Sequence, residues 1–341
     1  MGVFNNFTLL RKTYKNWIGL SFLIFHYRGK TKQIPVRFRN GLDLTIERRE
    51  AFQYALLNRS SSVEGFNYEI RNTNLGPKVF ICSNQMEVGL PAGLVLDLIQ
   101  LNELKIFKPD GESLHDLLNG ILKLSYRGKE LRLNLLKDNI QNGDLGLFLN
   151  DDYSFLRPSE MTVVDIGANI ADSAIYFAVN GAKKVIACEP YPYAYKIGLE
   201  NIRMNRLENI ITLLNVGYGK DGIINVTDSP TDSGSDLVIN ESGSKIETIS
   251  LDTIIRRFDL TNHVVLKIDC EGCEYTLLNE KNEFLQRFTR IQIEYHYGYP
   301  QLEKKLISAG FRIKHSKPKK VYNQSNSNPK LKVGMLYAML K

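Results

Sequence analysis

No stretch of this sequence is apolar for long enough to cross a membrane as a helix. The longest such run, Trp17 to Tyr27, covers 11 residues, where a span needs roughly 20. Basic residues flank it on both sides, Lys15 before and Arg28 and Lys30 after, and no small-residue cleavage site follows. A secretory signal is therefore not expected. The run reads as a buried helix, with an anchor lying in a membrane interface as the alternative. Cysteine is also scarce: four in 341 residues, Cys82, Cys188, Cys270 and Cys273. Cys270 and Cys273 make a C-x-x-C, but no second Cys or His pair stands at zinc-ligand spacing, so no metal site is expected. Few cysteines without a secretion signal point to a reducing, cytoplasmic setting. Acidic residues are missing from both ends. Residues 1–42 and 311–341 each carry eight Lys/Arg and no Asp or Glu, leaving 28 basic residues against all 37 acids between them. Basic ends suit anionic partners, namely a phosphate-bearing substrate, a membrane surface contacted through residues 1–40, or nucleic acid. Plain solvated charge is the bland alternative.

What is present divides near residue 150. Residues 1–150 read as a smaller α+β region. Ile34–Ile46 alternates around Asn40-Gly41, a hairpin signature. Leu122–Leu135 does the same around Arg127-Gly128-Lys129, and 92–104 reads as a helix between them. From Met161 the pattern becomes strand, helix, strand. Short apolar strands are expected at Thr162–Ile166, Lys184–Cys188, Ile211–Val216, Val264–Ile268 and Ile291–Glu294. Two closing strands are expected at Phe311–Ile313 and Met335–Leu340. Helices should follow at Ala171–Ala178, Tyr193–Arg206, after a Ser250 cap, and around Leu302–Ile307. A turn-rich stretch, Gly219–Ser244, interrupts the series. Continuously apolar strands separated by helices mean a mostly parallel sheet covered on both faces. Ligands of such sheets bind beyond the carboxyl ends of the strands, which is where Asp165, Glu189, Asp269 and Glu294 fall.

Asp165-x-Gly167-Ala168-Asn169 sits between a strand and a helix. A turn of small residues lets backbone N–H groups approach a ligand closely. The dinucleotide fingerprint G-x-G-x-x-G is absent. A carboxylate at this turn would repel a pyrophosphate and suits a ligand with a positive head. Glu189, ending the next strand, is placed to accept hydrogen bonds from ribose hydroxyls.

Four segments carry a family resemblance. Val163-Val164-Asp165-Ile166-Gly167-Ala168-Asn169, Val185-Ile186-Ala187-Cys188-Glu189-Pro190, Leu266-Lys267-Ile268-Asp269-Cys270-Glu271-Gly272 and Ile293-Glu294-Tyr295-His296 resemble, in order, the motifs of FkbM-type class I methyltransferases that use S-adenosylmethionine. The resemblance covers residues 151–315. It implies a Rossmann-like fold, α/β, with a mostly parallel seven-stranded sheet in residues 151–341. It implies S-adenosylmethionine as cofactor, its amino acid end held by Asp165, Gly167, Ala168 and Asn169, its ribose by Glu189 and Pro190, and its adenine near Asn215. Asp269 and Glu271 would lie beside the methyl group. Ala171 departs from a usual Gly. Cys270 and Cys273 replace small apolar residues, which favours two buried small side chains over a redox pair.

A neutral hydroxyl acceptor needs a base as its bond to carbon forms. Asp269 and His296 are the candidates, each with a structural alternative: helix cap for Asp269, half-buried histidine for His296. Asp151-Asp152-Tyr153 is either a lid or a linker turn. The expected activity is O-methylation of a sugar, glycan or other small hydroxylated metabolite. The rivals are an RNA methyltransferase, disfavoured because no RNA-binding module is recognisable, and a non-catalytic nucleoside-binding module. A homo-oligomer is left open.

Overall fold

The computed structural model describes residues 3–18, 20, 24, 33–39, 41–59, 66–74, 76–83, 86–134, 136–137, 140–141, 145–226, 243–320 and 331–341. They fall into two compact units, Met1–Glu130 and Leu131–Lys341. Most of the apolar run 17–27 lies outside the described residues, as does 227–242 of the turn-rich stretch. No helix among the described residues is long and apolar enough to cross a membrane.

In the first unit the expected hairpin is Gln33–Arg37 paired antiparallel with Asp43–Glu47. Ile34 faces Ile46 and Val36 faces Leu44, all four buried. Its turn residue Asn40 lies outside the described residues. The expected helix is Ala92–Glu103. A three-stranded antiparallel sheet, Asn67–Thr73, Gly76–Ser83 and Met86–Leu90, was not anticipated. Neither were the helices Val3–Thr13, Ala51–Arg59 and Gly111–Leu118.

The second unit is built on one large sheet. Its strands are β1 (Thr162–Ile166), β2 (Lys184–Cys188), β3 (Ile211–Leu214), β4 (Val264–Ile268), β5 (Phe288–Tyr295), β6 (Phe311–His315) and β7 (Lys332–Leu340). They lie in the order β3-β2-β1-β4-β5-β7-β6. The first five are parallel, and β7 runs antiparallel between β5 and β6. Helices α1 (Asp172–Val179), α2 (Pro192–Met204), α3 (Leu251–Arg257) and α4 (Pro300–Ser308) make the connections. Ser250 caps α3, its Oγ accepting from the Thr253 N–H at 3.2 Å, as a Ser at an N-cap should. Val164, Ile186, Leu266 and Ile291 pack into the core on one face of the sheet, and Val163, Val185 and Val265 on the other face are buried too, so both faces are covered as continuously apolar strands require.

The third strand ends earlier than its apolar run suggests. Asn215 breaks it, because its Nδ2 donates to the carbonyls of Glu189 at 2.9 Å and Pro190 at 3.1 Å. The chain then enters a separate small sheet, in which Val216–Tyr218 pairs parallel with Ser244–Ile249 and Gly222–Val226 pairs antiparallel with it.

Candidate active site

The switch point of the sheet lies between β1 and β4, where connections leave in opposite directions, and the acids gather at these strand ends. After β1 the chain makes a tight turn in which Gly167, Asn169 and Ala171 all have positive φ, +78°, 47° and 64°. Gly167 is required twice over. Its backbone is left-handed, and a Cβ there would stand 1.8 Å from the Asp269 carbonyl oxygen. Ala171 pays for its left-handed backbone with strain, and its methyl group is admitted because Gly198 of α2 presents no side chain to it.

Asp165 is fully buried and both its oxygens are engaged. Oδ2 accepts from Ser173 Oγ at 2.7 Å, and Oδ1 lies 3.1 Å from Lys267 Nζ. Lys267 also donates to the Gly167 carbonyl at 2.8 Å. Burial pulls the ammonium's pKa down, but the carboxylates of Asp165, Asp269 and Asp172 outweigh it and hold it above its ordinary value. Tyr153, 8% exposed, lays its ring 5.7 Å from this ammonium, and the Asp152 carbonyl accepts from Gln292 at 2.8 Å. Asp151-Asp152-Tyr153 is therefore packed onto the sheet rather than standing open as a lid. Lys267, Ser173 and Tyr153 were not singled out for this role. The legible signal was a lysine inside an otherwise apolar strand, Val264–Ile268.

At the end of β2, Glu189 Oε2 accepts the Asn169 N–H and Oε1 the Tyr191 N–H, each at 2.8 Å. The first acid-bearing turn and the second strand-end acid thus meet in space. Burial raises the Glu189 carboxyl to about 7 against the pull of these two donors. Asn215 lies beside them, tied to the Glu189-Pro190 backbone. Gly167 and Ala168 donate their N–H groups to the Cys188 carbonyl.

Beyond β4 and β5 lies a second cluster. Asp269 is raised by burial, with Lys267 and His296 opposing. Glu294 of β5 is raised to about 8 by burial and by the Asp269 carboxylate. His296 is held between two acids: Nδ1 donates to Glu274 Oε1 and Nε2 to Glu271 Oε2, both at 3.1 Å. Glu274, fully buried, also accepts the His296 backbone N–H at 2.8 Å. Burial would lower the imidazole, but the hydrogen bonds and charges of Glu271 and Glu274 raise it to about 11. An imidazolium with both N–H groups committed has no lone pair to offer a proton. Asp269, Glu271 and His296 bring ligand atoms within 4.8 Å of one another, so a cation could be held there only once His296 had lost its proton. Glu274 escaped the sequence reading, because nothing local marks which acid a histidine will choose.

One expectation needs correction. Cys270 and Cys273 are not two separate buried side chains: they are joined by a disulfide, with Cα atoms 5.5 Å apart. Positive φ at Glu271 (54°) and Gly272 (120°) turns the chain back on itself, and the Cα separation falls within the range a disulfide bridges.

The donor set fits a cationic nucleoside. A carboxylate stands at each of four strand ends, and the first turn spends its N–H groups on Cys188 and Glu189 instead of leaving a phosphate cradle. Sheet order, the antiparallel β7 and the strand-end acids define a Rossmann-like domain of the class I methyltransferase kind. Residues 165–313 match the methyltransferase FkbM domain, a family that uses S-adenosylmethionine. A tRNA(Phe) (4-demethylwyosine(37)-C(7)) aminocarboxypropyltransferase of Pyrococcus horikoshii is 40% identical over 60 residues, 18% of this chain. The match spans only 21% of that curated relative's length. Among solved structures, M. jannaschii TYW2 in complex with AdoMet is 17% identical, with a TM-score of 0.34, over 64% of this chain and 85% of that one. A precorrin-6y C5,15-methyltransferase of Geobacter metallireducens is also 17% identical, with a TM-score of 0.31, over 55% and 84%.

Proposed function

We propose that the chain transfers a methyl group from S-adenosylmethionine to a hydroxyl of a sugar, glycan or other small hydroxylated metabolite. The observation that carries this reading is the carboxyl pair Asp269 and Glu294 at the ends of adjacent strands: burial raises Asp269, and burial with the Asp269 charge raises Glu294 to about 8. A base is most useful when its pKa lies near the working pH.

When bound, the cofactor supplies an already activated methyl group. Glu189 accepts hydrogen bonds from the ribose hydroxyls, and the turn Gly167–Asn169 backs its amino acid end. Asp165 acts through Lys267, which pins the Gly167 carbonyl and fixes that turn. Asp269 takes the proton from the acceptor hydroxyl as the oxygen–carbon bond forms. Glu294, protonated at neutral pH, is the neighbour that lets Asp269 carry the charge. His296 positions Glu271 and adds a fixed positive charge beside Asp269. Alignment and water exclusion supply the rest of the rate.

Calorimetric titration with S-adenosylmethionine tests the reading. The wild type should bind, and Glu189→Ala should bind at least about tenfold more weakly, the cost of losing charge-assisted hydrogen bonds. Absence of binding by the wild type at millimolar cofactor would end it. A tRNA acceptor is the second reading, favoured by the 60-residue likeness to a tRNA-modifying relative and by the basic ends. Methyl incorporation into bulk tRNA, compared with a panel of glycosides, separates the two.

A further inference from the structure

Against the outer side of the Asp269–Glu274 loop lies a cavity of about 640 Å³, walled by Tyr275, Tyr297, Tyr299, Pro300, Pro318 and Lys332. It begins one residue beyond His296. The Tyr297 ring, 37% exposed, sits against Gly272, where a Cβ would be 3.3 Å from its Cε2. The ring that walls the cavity therefore lies beside Gly272, the residue that follows Glu271.

The walls are fixed by hydrogen bonds. Tyr275 donates its hydroxyl hydrogen to the Gly298 carbonyl at 2.7 Å and accepts the Tyr297 N–H at 2.9 Å. Lys332 donates its backbone N–H to the His296 carbonyl at 2.7 Å, and Gly298 donates to the Lys332 carbonyl at 3.1 Å. Tyr299 is held by a stacked His315, ring centroids 3.6 Å apart. The cavity is thus a preformed aromatic cleft with few polar groups, the usual make-up of a small-molecule site. Its polar content has one sign. No carboxylate lines it, and Lys332 is the one Lys or Arg among its lining residues. Pro318 and Lys332 both belong to 311–341, the segment with eight Lys/Arg and no acid.

We propose that this cavity is the acceptor subsite and takes a hydroxylated ring that carries an anionic group, a uronic acid or a sugar phosphate. The ring packs on Tyr297, whose face offers apolar area. Lys332 holds the anion and so turns a hydroxyl toward Asp269. The inference rests on the methyl-transfer reading of the adjoining site.

Calorimetric titrations on the full chain saturated with S-adenosylmethionine test it, with para-nitrophenyl glucuronide, para-nitrophenyl glucoside and glucose 6-phosphate as probes. The glucuronide or the sugar phosphate should bind at least about tenfold more tightly than the neutral glucoside, as a hydrogen bond to a charged partner predicts. Whichever anion is preferred names the group. Lys332→Met should erase the preference and leave the glucoside and S-adenosylmethionine constants within about twofold. Tyr297→Leu should weaken all three probes. Equal binding of charged and neutral probes, a preference that survives in Lys332→Met, or no probe binding at millimolar concentration while S-adenosylmethionine still binds would each overturn the proposal. Failure of S-adenosylmethionine itself to bind would instead strike the methyl-transfer reading.

Discussion

Gly167 and the Asp269 carbonyl occupy space that no side chain could share. A Cβ on Gly167 would come within 1.8 Å of that oxygen and 2.7 Å of its carbon. The turn after β1 is thereby clamped to the end of β4, and Asp269 adds a backbone hydrogen bond to the Ile166 carbonyl at 3.0 Å. Gly167→Ala forces both a left-handed alanine and a backbone collision. It should cost about 3 kcal/mol of stability and abolish cofactor binding, read by thermal unfolding and calorimetry on the same sample.

Lys267 and Asp165 form a buried pair with side chains 2% and 0% exposed. Removing one partner of such a pair leaves an uncompensated charge. Lys267→Met should therefore lose about 3–5 kcal/mol, measured as a lower urea midpoint. Asp165→Asn/Lys267→Met should recover part of that loss, since it leaves neither charge behind.

His296 should be doubly protonated at pH 8. Long-range nitrogen–proton spectra of histidine-labelled protein should show two donor-type ring nitrogens, and a neutral tautomer there would refute the assignment. The folded-state value, about 11, lies above the ordinary 6.5. Its stabilising contribution is therefore complete below about pH 6.5 and drains away as the pH climbs toward 11. His296→Gln should flatten the stability curve over that window.

Asp269→Asn should lower kcat by about 10²–10⁴-fold with cofactor affinity nearly intact. Glu294→Gln should do far less, because Glu294 is protonated near neutral pH in the wild type. Its effect should appear as a shift of the alkaline part of the pH–rate profile, where a carboxyl near 8 would otherwise ionise. An Asp269→Asn variant with unchanged turnover would remove that residue from the chemistry.

The parallel sheet was readable because its strands are uninterrupted apolar runs. Thr162–Ile166, Lys184–Cys188 and Val264–Ile268 coincide with β1, β2 and β4. β3 was read two residues too long, because Asn215 spends its side chain on Glu189 and Pro190, a long-range contact with no local trace. The sheet over 67–90 was missed although Ile70 faces Val79 and Ile81 faces Val88 in it. Its alternation is diluted by half-buried polar positions in the first strand. At the site, the four strand-end acids could be named from position alone. Their pairings could not, since Lys267 choosing Asp165 and Glu274 choosing His296 depend on which strands become neighbours.

The placement of β7 has a consequence for how the protein is made. Among the described residues β6 pairs only with β7, and β7 wedges between β5 and β6. During synthesis β6 emerges first and waits with an unpaired edge until the later segment arrives. Such an edge invites other chains. The same later segment brings Lys332 to the His296 carbonyl, so a nascent molecule completes this wall of the cavity only once β7 has formed. Chains released before β7 would lack one wall of that cavity and expose a sticky sheet margin.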